Sequence, residues 1–358
     1  MTALAERPGD TRTRGRVVAQ RFFVVRELGI GLALLLLIVI TALVNPRFLA
    51  AQSIKDLLLG STILAILATG QAIVVITRNV DLSVGSVLGL SAFAVGTLFV
   101  SAPGTPIPVA LAMGVALGAA CGAVNGLLIA AARVPALVVT LGTLYVFRGI
   151  DYTWATGKQV NAADMPAGFL RMGTKAVLGV PVLALFAVVV LVFAGYYLRA
   201  FRSGRELYAI GSEPAAARLN GIPVGRRIFG AFVVSGALAG FAGVLYAARF
   251  GTLDANAGIN SELNVVAAVV VGGVAIFGGS GSVYGAALGA VLLTTIGAAL
   301  PVLGVSPFWQ RAAVGALILA AIGLDRILMA RVGERLRVIG GRSVAENAPN
   351  QRKGARRA

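Results

Sequence analysis

The sequence predicts an all-α, polytopic membrane protein with about ten transmembrane helices, both termini in the cytoplasm and a short cytoplasmic helix between two spans. Three observations lead to this fold class. Hydrophobic residues make up 58% of the 358 residues and charged residues only 13%, whereas a soluble domain is roughly 25% charged. Apolar runs recur with lengths close to the roughly 20 residues that cross a bilayer. The basic residues gather in alternate segments between these runs, which indicates the cytoplasmic side.

Polar or helix-breaking residues separate the ten predicted spans from one another. The first run closes at Asn45-Pro46, and the fourth is followed by Arg133-Val134-Pro135. The eighth and tenth runs are short, so nine or eleven spans are alternatives. Non-helical backbone at membrane depth is tolerated where protein or a water-filled cavity covers it, and the short runs are candidates for such places. In order, the spans are 28–44, 57–76, 83–100, 108–132, 136–150, 176–198, 228–248, 265–277, 283–303 and 311–324.

Orientation and domain organisation follow from the basic residues. With the N-terminus inside, most of the lysines and arginines fall in the inside segments. The chain then divides into a basic cytoplasmic tail, 1–27, a membrane domain, 28–324, and a basic, disordered cytoplasmic tail, 325–358. The net charge of +17 is assigned to topology and to contact with anionic lipid rather than with nucleic acid.

Several kinds of chemistry are excluded by residue content. The chain has no histidine, which excludes histidine-based metal sites and general bases. Its one cysteine, Cys121, cannot form an internal disulfide and is expected to be inert packing. No G-x-x-x-x-G-K-[ST] loop is present, and "GGSGS" at Gly278–Ser282 lacks the lysine that a phosphate-binding loop requires. We therefore expect no cofactor, no metal and no catalytic residue.

The inside loop 199–227 contains "GSEPAAARLNGIPV". Ser212 is a suitable N-cap, with Glu213 and Pro214 in the first turn, and Gly221 is a natural C-terminal stop. This predicts a helix of about two turns, which would be marginal alone in water. It would pack on its own bundle or insert into a groove on a cytoplasmic partner.

A polar segment, "TRNVDLS", interrupts the apolar sequence at 77–83. Arg78 and Asp81 are three residues apart and could pair. Asp81 or Ser83 could cap the third span. The other interpretation is a broken helix whose exposed amides line the inner end of a pathway and act as a gate. The residues assigned to this signature segment are Arg78, Asn79, Asp81, Ser83, Gly85 and Ser86.

Polar side chains within spans are rare and commonly face a pathway. The candidates are Gln71, Asn125, Thr140, Thr143 and Tyr145. Hydroxyl and amide groups with an aromatic ring would suit a neutral sugar, whereas the alternative is hydrogen bonding between helices without contact with substrate. Arg148, at the end of the fifth span, is expected to extend to the outer interface.

Four stretches carry a family resemblance. "GSEPAAARLNGIPV" resembles the coupling-helix segment of ABC importer permeases. "ITRNVDLSVGSVLGLSA", "LGTLYVFRG" and "GGVAIFGGSGSVYGAALGA" are similar to blocks of the ribose-type sugar permease family. "TRN" before "VDLS" resembles the rhamnose and autoinducer-2 branches. The resemblance extends over about residues 28–324.

The resemblance implies a multi-pass permease subunit in the cytoplasmic membrane of a prokaryote, importing a monosaccharide or similar small polyol. It also implies three protein partners: a cytoplasmic ABC ATPase that binds the ATP, an extracytoplasmic sugar-binding protein and a second permease subunit. The second permease subunit would be an identical copy, forming a homodimer, or a close paralogue. The residues that would contact the ATPase are Ser212, Glu213, Ala215, Ala216, Arg218 and Gly221. The alternative is an ion-coupled secondary sugar transporter, which is disfavoured because no acidic residue is expected in the middle of a span. An integral-membrane enzyme would need paired carboxylates or a metal cluster, and neither is found.

Overall fold

The computed structural model describes residues 11–306, 308–320 and 323. The prediction of a mostly helical chain is confirmed. Two-residue strands β1 (Ala176–Val177) and β2 (Val180–Pro181) form one antiparallel hairpin. The helices are α1 (Thr11–Val44), α2 (Ala51–Ile76), α3 (Val84–Ser101), α4 (Ile107–Ala130), α5 (Ala136–Ala155), α6 (Ala167–Thr174), α7 (Val182–Ala200), α8 (Arg202–Ser212), α9 (Pro214–Leu219), α10 (Val224–Phe250), α11 (Ser261–Val271) and α12 (Val283–Val302), with a last helix, α13, over 309–320.

Within the described part of the chain, six helices are long and apolar enough to cross a membrane: α2, α3, α4, α7, α10 and α12. They coincide with the second, third, fourth, sixth, seventh and ninth predicted spans. The predicted tail 325–358 lies outside the described residues, as do the first ten residues of the tail 1–27.

Three predicted boundaries are wrong. The fifth span was expected to end at 150, but α5 continues to Ala155. The sixth was expected to begin at 176, where the β1–β2 hairpin instead occupies 176–181. The eighth was expected over 265–277, but α11 runs from Ser261 to Val271. Gly273 then takes a φ of 91°, which an L side chain rarely adopts, so the helix cannot continue through the apolar residues that follow.

Helices α2 and α3 are the most deeply buried spans of the bundle. Helix α4 packs closely against α10, and this contact depends on glycines in both helices. A methyl group on Gly118 would meet the carbonyl oxygen of Gly236, and one on Gly236 would meet the carbonyl oxygen of Gly118. Gly122 and Gly240 lie equally close to the opposite backbone, against Phe232 and Gly114 respectively. Small residues at these positions allow two helix backbones to approach closely.

The segment 251–260 runs along α3 into the bundle. Leu253 lies against Gly96, Ala257 against Gly89, and Gly258 with Glu262 against Gly85. Eleven helical residues separate Gly85 from Gly96, a distance of about 16 Å at 1.5 Å per residue. The segment 249–264 lies between two predicted spans, 228–248 and 265–277, but it enters the bundle. Helix α11 begins about 16 Å inside the bundle, measured from the end at which α10 stops. The N-termini of the helices α3 and α11 lie beside each other there.

Candidate functional site

The segment 77–83 is a break between α2 and α3, and it is held by buried polar groups. Asp81 is 1% exposed. Its Oδ1 accepts hydrogen bonds from the Ser83 backbone amide at 3.0 Å and from Ser83 Oγ at 2.7 Å. Its Oδ2 accepts one from Ser235 Oγ of α10 at 3.2 Å. Ser83 occupies the N-cap position of α3 without a capping bond from its own side chain. The carboxylate of Asp81 thus organises the turn that leads into α3.

Helices α4 and α5 attach to the same segment. Asn125 Nδ2 donates to Ser83 Oγ at 2.8 Å, and Thr143 Oγ1 donates to Asn125 Oδ1 at 2.7 Å. Thr140 Oγ1 donates to the Val80 carbonyl at 3.1 Å. These are the interhelical hydrogen bonds that the alternative interpretation expected, since each buried polar group is satisfied by protein.

The two remaining predicted pathway residues differ, because Gln71 joins this arrangement and Tyr145 does not. Gln71 is fully buried. With its amide oriented for hydrogen bonding, it donates to the Asp81 carbonyl at 3.1 Å and accepts from the Asp81 amide at 3.2 Å. Tyr145 is 69% exposed on the outer face of α5. The structure therefore brings four of the five candidates together around 77–83, and Tyr145 is not one of them.

Arg78 joins the break to two distant segments, and the predicted pairing with Asp81 is wrong. Its Nε donates to the Phe277 carbonyl at 2.7 Å, and one terminal nitrogen donates to the Ser212 carbonyl at 2.6 Å. The Gly279 amide also donates to the Ile76 carbonyl at 2.9 Å. The end of α2, the end of α8 and the loop 272–282 are therefore held together at one end of the bundle.

The other signature residues act locally. Asn79 Nδ2 donates to the carbonyl and hydroxyl oxygens of Thr77, at 2.9 and 3.0 Å. Gly85 lies against Glu262 and Gly258. Ser86 is 1% exposed, and its hydroxyl has no hydrogen-bond partner among the described residues.

Helix α9 begins one residue later than predicted. Its N-cap is Glu213, whose Oε1 accepts from the Ala215 amide at 3.3 Å. The expectation that Ser212 is the N-cap is wrong because Ser212 is the last residue of α8, and its hydroxyl donates to the Tyr208 carbonyl at 2.9 Å. Gly221 follows the C-cap Asn220 with a φ of 74°, a conformation that favours glycine.

One face of α9 packs on the bundle and the rest is open. Ala217 is buried against Ile210 and Val224. Leu219 is 91% exposed; sequence reasoning missed it, although an apolar residue next to the predicted helix stop was a usable signal. The six residues assigned to ATPase contact are all exposed, namely Ser212, Glu213, Ala215, Ala216, Arg218 and Gly221.

An ion-pair brace ties α8, the helix that precedes α9, to the start of α10. Glu206 Oε2 accepts from Arg227 Nε of α10 at 2.6 Å, and Oε1 accepts from Arg202 Nε at 2.9 Å. The Arg227 hydrogen bond, followed by that of Arg202, holds the pKa of Glu206 below its usual range. Sequence reasoning did not find this brace, since Glu206 and Arg227 are 21 residues apart.

Arg148 of α5 fixes the segment 251–260 beside Gly89 of α3. The guanidinium donates to the Ala255 carbonyl at 2.8 Å and to the Ala257 carbonyl at 2.7 Å. Its side chain is 7% exposed, so the predicted extension to the interface is wrong. Asp151, 3.9 Å from Arg148, is a fully buried carboxyl within α5, in a part of the chain that was expected to be loop.

The comparisons with known proteins decide the family. The family model described as "Branched-chain amino acid transport system / permease component" matches residues 53–322. The chain belongs to this permease family. Its match covers both the helix break at 77–83 and the exposed helix α9.

Three relatives align with this chain over most of its length. An autoinducer 2 import system permease protein, LsrC, of Enterobacter sp. (strain 638) is 37% identical over 300 residues, which is 84% of this chain and 86% of the relative. The LsrC protein of Escherichia coli (strain K12 / DH10B) is 33% identical over 312 residues, 87% and 90% of the two chains. A probable ABC transporter permease protein, y4mJ, of Sinorhizobium fredii (strain NBRC 101917 / NGR234) is 36% identical over 327 residues, 91% and 96%. No solved structure matches the chain.

These matches confirm the resemblance to sugar ABC importer permeases of the ribose and autoinducer-2 branch. Together with the six apolar helices, they identify a multi-pass membrane protein that is a transport component. Family membership implies in general an ATPase and a binding protein as partners.

Proposed function

We propose that this permease is the transmembrane subunit of an ABC importer that moves a monosaccharide or similar small polyol across the cytoplasmic membrane of a prokaryote. A separate cytoplasmic ATPase would supply the energy, an extracytoplasmic binding protein would deliver the substrate, and a second permease subunit would complete the pathway. The proposal includes ten membrane crossings with both termini in the cytoplasm. The basic tails 1–27 and 325–358 would then lie beside anionic lipid.

The observation that carries the proposal is the hydrogen bond between Arg78 and the Ser212 carbonyl, 2.6 Å long. Ser212 ends α8 two residues before α9 begins. Arg78 lies at the break between α2 and α3. A displacement of α9 by a partner would therefore be transmitted directly to the break, without passing through the apolar core.

The exposed surface of α9 suits contact with the ATPase. Glu213 and Arg218 offer opposite charges, and Leu219 offers an apolar group at 91% exposure. A six-residue helix is unstable alone, but Ala217 anchors this one to Ile210 and Val224. The ATPase would thus contact a helix that is already formed. Movement of the ATPase would then displace α8 directly, because no binding energy is needed to fold α9 first.

The helix break at 77–83 has the features of a gate that is held in one conformation. Non-helical backbone within a bundle needs covering protein, and Asp81, Asn125 and Gln71 supply it here. Because four of the five candidate pathway residues are engaged in these bonds, their proposed role is to set the position of the break. Tyr145, exposed on α5, remains a candidate for contact with substrate in the assembled transporter.

The test is transport by the reconstituted chain in proteoliposomes. We expect uptake only when the ATPase, the binding protein and ATP are all present. The substrate panel includes autoinducer 2, which is named for two relatives, together with ribose, rhamnose and leucine. Uptake by the chain alone under an ion gradient would refute the proposal in favour of a secondary transporter, and ATP-dependent uptake restricted to leucine would refute the substrate class.

A further inference from the structure

A cavity of about 620 Å³ lies within the single chain, separate from the break at 77–83. It is bounded by one side of α2, by the end of α10, by the start of α11 and by α12 with α13. Its volume falls in the range of roughly 300–1,000 Å³ that is typical of small-molecule sites. None of the residues that link Arg78 to α9 lines it.

Four polar side chains around this cavity have uncommitted hydrogen-bonding groups. They are the hydroxyls of Tyr246 and Ser261 and the amides of Asn264 and Gln310. Each is partly buried, and none makes a hydrogen bond with the described part of the chain. Small-molecule sites are typically concave, with a few polar groups that converge on the ligand. Four such groups, on the three helices α10, α11 and α13, converge on this cavity and therefore indicate a polar ligand.

The charges at the cavity favour a neutral ligand. Arg249 and Asp56 both line it, so the cavity has one basic and one acidic residue. Arg249 is held in place, because one terminal nitrogen donates to the Leu59 carbonyl at 2.7 Å and its guanidinium lies 4.8 Å from the centre of the Phe250 ring. A ligand with a net charge would be attracted by one of these side chains and repelled by the other.

The depth of the polar groups in the bundle favours a polyol over a lipid chain as the ligand of this cavity. Ser261 and Asn264 lie in the first turn of α11, which begins about 16 Å inside the bundle by the helical rise along α3. A lipid tail reaching that depth would leave the amide of Asn264 unpaired, which is costly. A molecule with several hydroxyls would pair with it, and the ring of Tyr246 offers an apolar surface to the face of a sugar.

We propose that this cavity binds a neutral, polyhydroxylated small molecule within each permease subunit. The inference rests on the proposed function and extends it by placing a site for the substrate class inside one chain.

The test is binding to the purified full-length chain in detergent, with neither ATPase nor binding protein. The probes are D-ribose, L-rhamnose and glycerol. Asn264→Leu and Gln310→Leu should each weaken binding by about fivefold or more, since each removes uncommitted donors and acceptors. Gln159→Leu is the matched control, because Gln159 is exposed, pairs with Asn161 and does not line the cavity; it should bind as the wild type does.

A labelling experiment gives the same answer if the leucine variants fold poorly. Asn264→Cys in a Cys121→Ser background should react with a small thiol reagent, and the bound probe should slow that reaction. The inference is overturned if none of the probes binds, if the variants bind as the wild type does, or if a co-purified phospholipid is found to protect Cys at position 264.

Failure of this inference is distinguishable from failure of the proposed function. ATP-dependent uptake by the complete transporter without probe binding to the chain would overturn only the cavity. Probe binding that responds to Asn264→Leu, without ATP-dependent uptake, would overturn only the importer assignment.

Discussion

Replacing Arg78 separates the α9 end of the bundle from the helix break without altering the core. Arg78→Gln removes the hydrogen bonds to the Phe277 and Ser212 carbonyls. Arg78→Gly removes the same bonds but also relieves the backbone, because Arg78 has a φ of 65°. The two variants therefore lose the same connection and differ in strain.

The size of the effect follows from these contacts. A hydrogen bond to a charged group contributes roughly 1.5–3 kcal/mol, and exposure of Arg78 to solvent reduces this through screening. Together the two bonds are expected to contribute about 1–3 kcal/mol, which corresponds to roughly 5–150-fold in a coupling equilibrium. The left-handed backbone costs a non-glycine residue about 1–2 kcal/mol, so Arg78→Gly should be about 1 kcal/mol more stable than Arg78→Gln.

The assay is the number of substrate molecules transported per ATP hydrolysed by the complete transporter, with thermal unfolding of the permease measured alongside. Both variants should lower the transport ratio by about fivefold or more while ATP hydrolysis continues. Arg133→Gln is the control, because Arg133 is exposed, has a φ of 57° and makes no side-chain hydrogen bond with the described residues. A normal transport ratio in Arg78→Gln, or an equal loss in Arg133→Gln, would refute the proposed connection.

Three other perturbations test the packing around this connection. Gly211→Ala should destabilise the fold by about 1–3 kcal/mol, because its methyl group would meet the Ile76 carbonyl; Gly142→Ala, with open space around it, should be neutral or slightly stabilising in the same unfolding assay. Asn125→Leu should lower the free energy of unfolding by about 1–3 kcal/mol and leave substrate affinity unchanged. A change in affinity without a loss of stability would instead show that Asn125 contacts the substrate. Glu206 has a depressed pKa in the folded state, so its stabilising contribution is present above about pH 4.3, the ordinary glutamate pKa, and is lost as the pH falls through the folded value. Glu206→Gln should therefore flatten the dependence of the unfolding temperature on pH below about 4.3. An unaltered pH profile would show that protonation of Glu206 does not control stability in this range.

The sequence was sufficient to predict the membrane class and the position of the helix break. Both depend on composition and on local pattern: long apolar runs, and a polar segment between two of them. The partners of Arg78 could not be predicted, since they are main-chain carbonyls 199 and 134 residues away. Any residue type supplies a carbonyl, so the acceptor positions have no sequence signature.

The end of α11 shows a second limit. The apolar residues continue to Phe277, whereas the helix ends at Val271. Apolar composition does not distinguish a buried helix from buried irregular backbone. The decisive feature is the left-handed conformation of Gly273, which depends on how the loop 272–282 meets the end of α2.

The polar residues of the candidate site show what a single sequence leaves open. Asn125, Thr140 and Thr143 had the right chemistry for a sugar, but they form hydrogen bonds with the segment 77–83 and with each other. A single sequence shows which polar side chains are present but not which groups they contact in the folded protein. The hydrogen-bond partners of these residues became visible only when α3, α4 and α5 were placed side by side.

The reciprocal glycine contacts between α4 and α10 have a consequence for measuring motion in this permease. Gly118 and Gly236 each occupy the space in front of the other's carbonyl oxygen, so a shift by one residue would bring a side chain against backbone. We therefore expect the two helices to move together. A pair of spin labels, one on the exposed side of α4 and one near Arg78, would report the displacement of the break against a fixed internal reference.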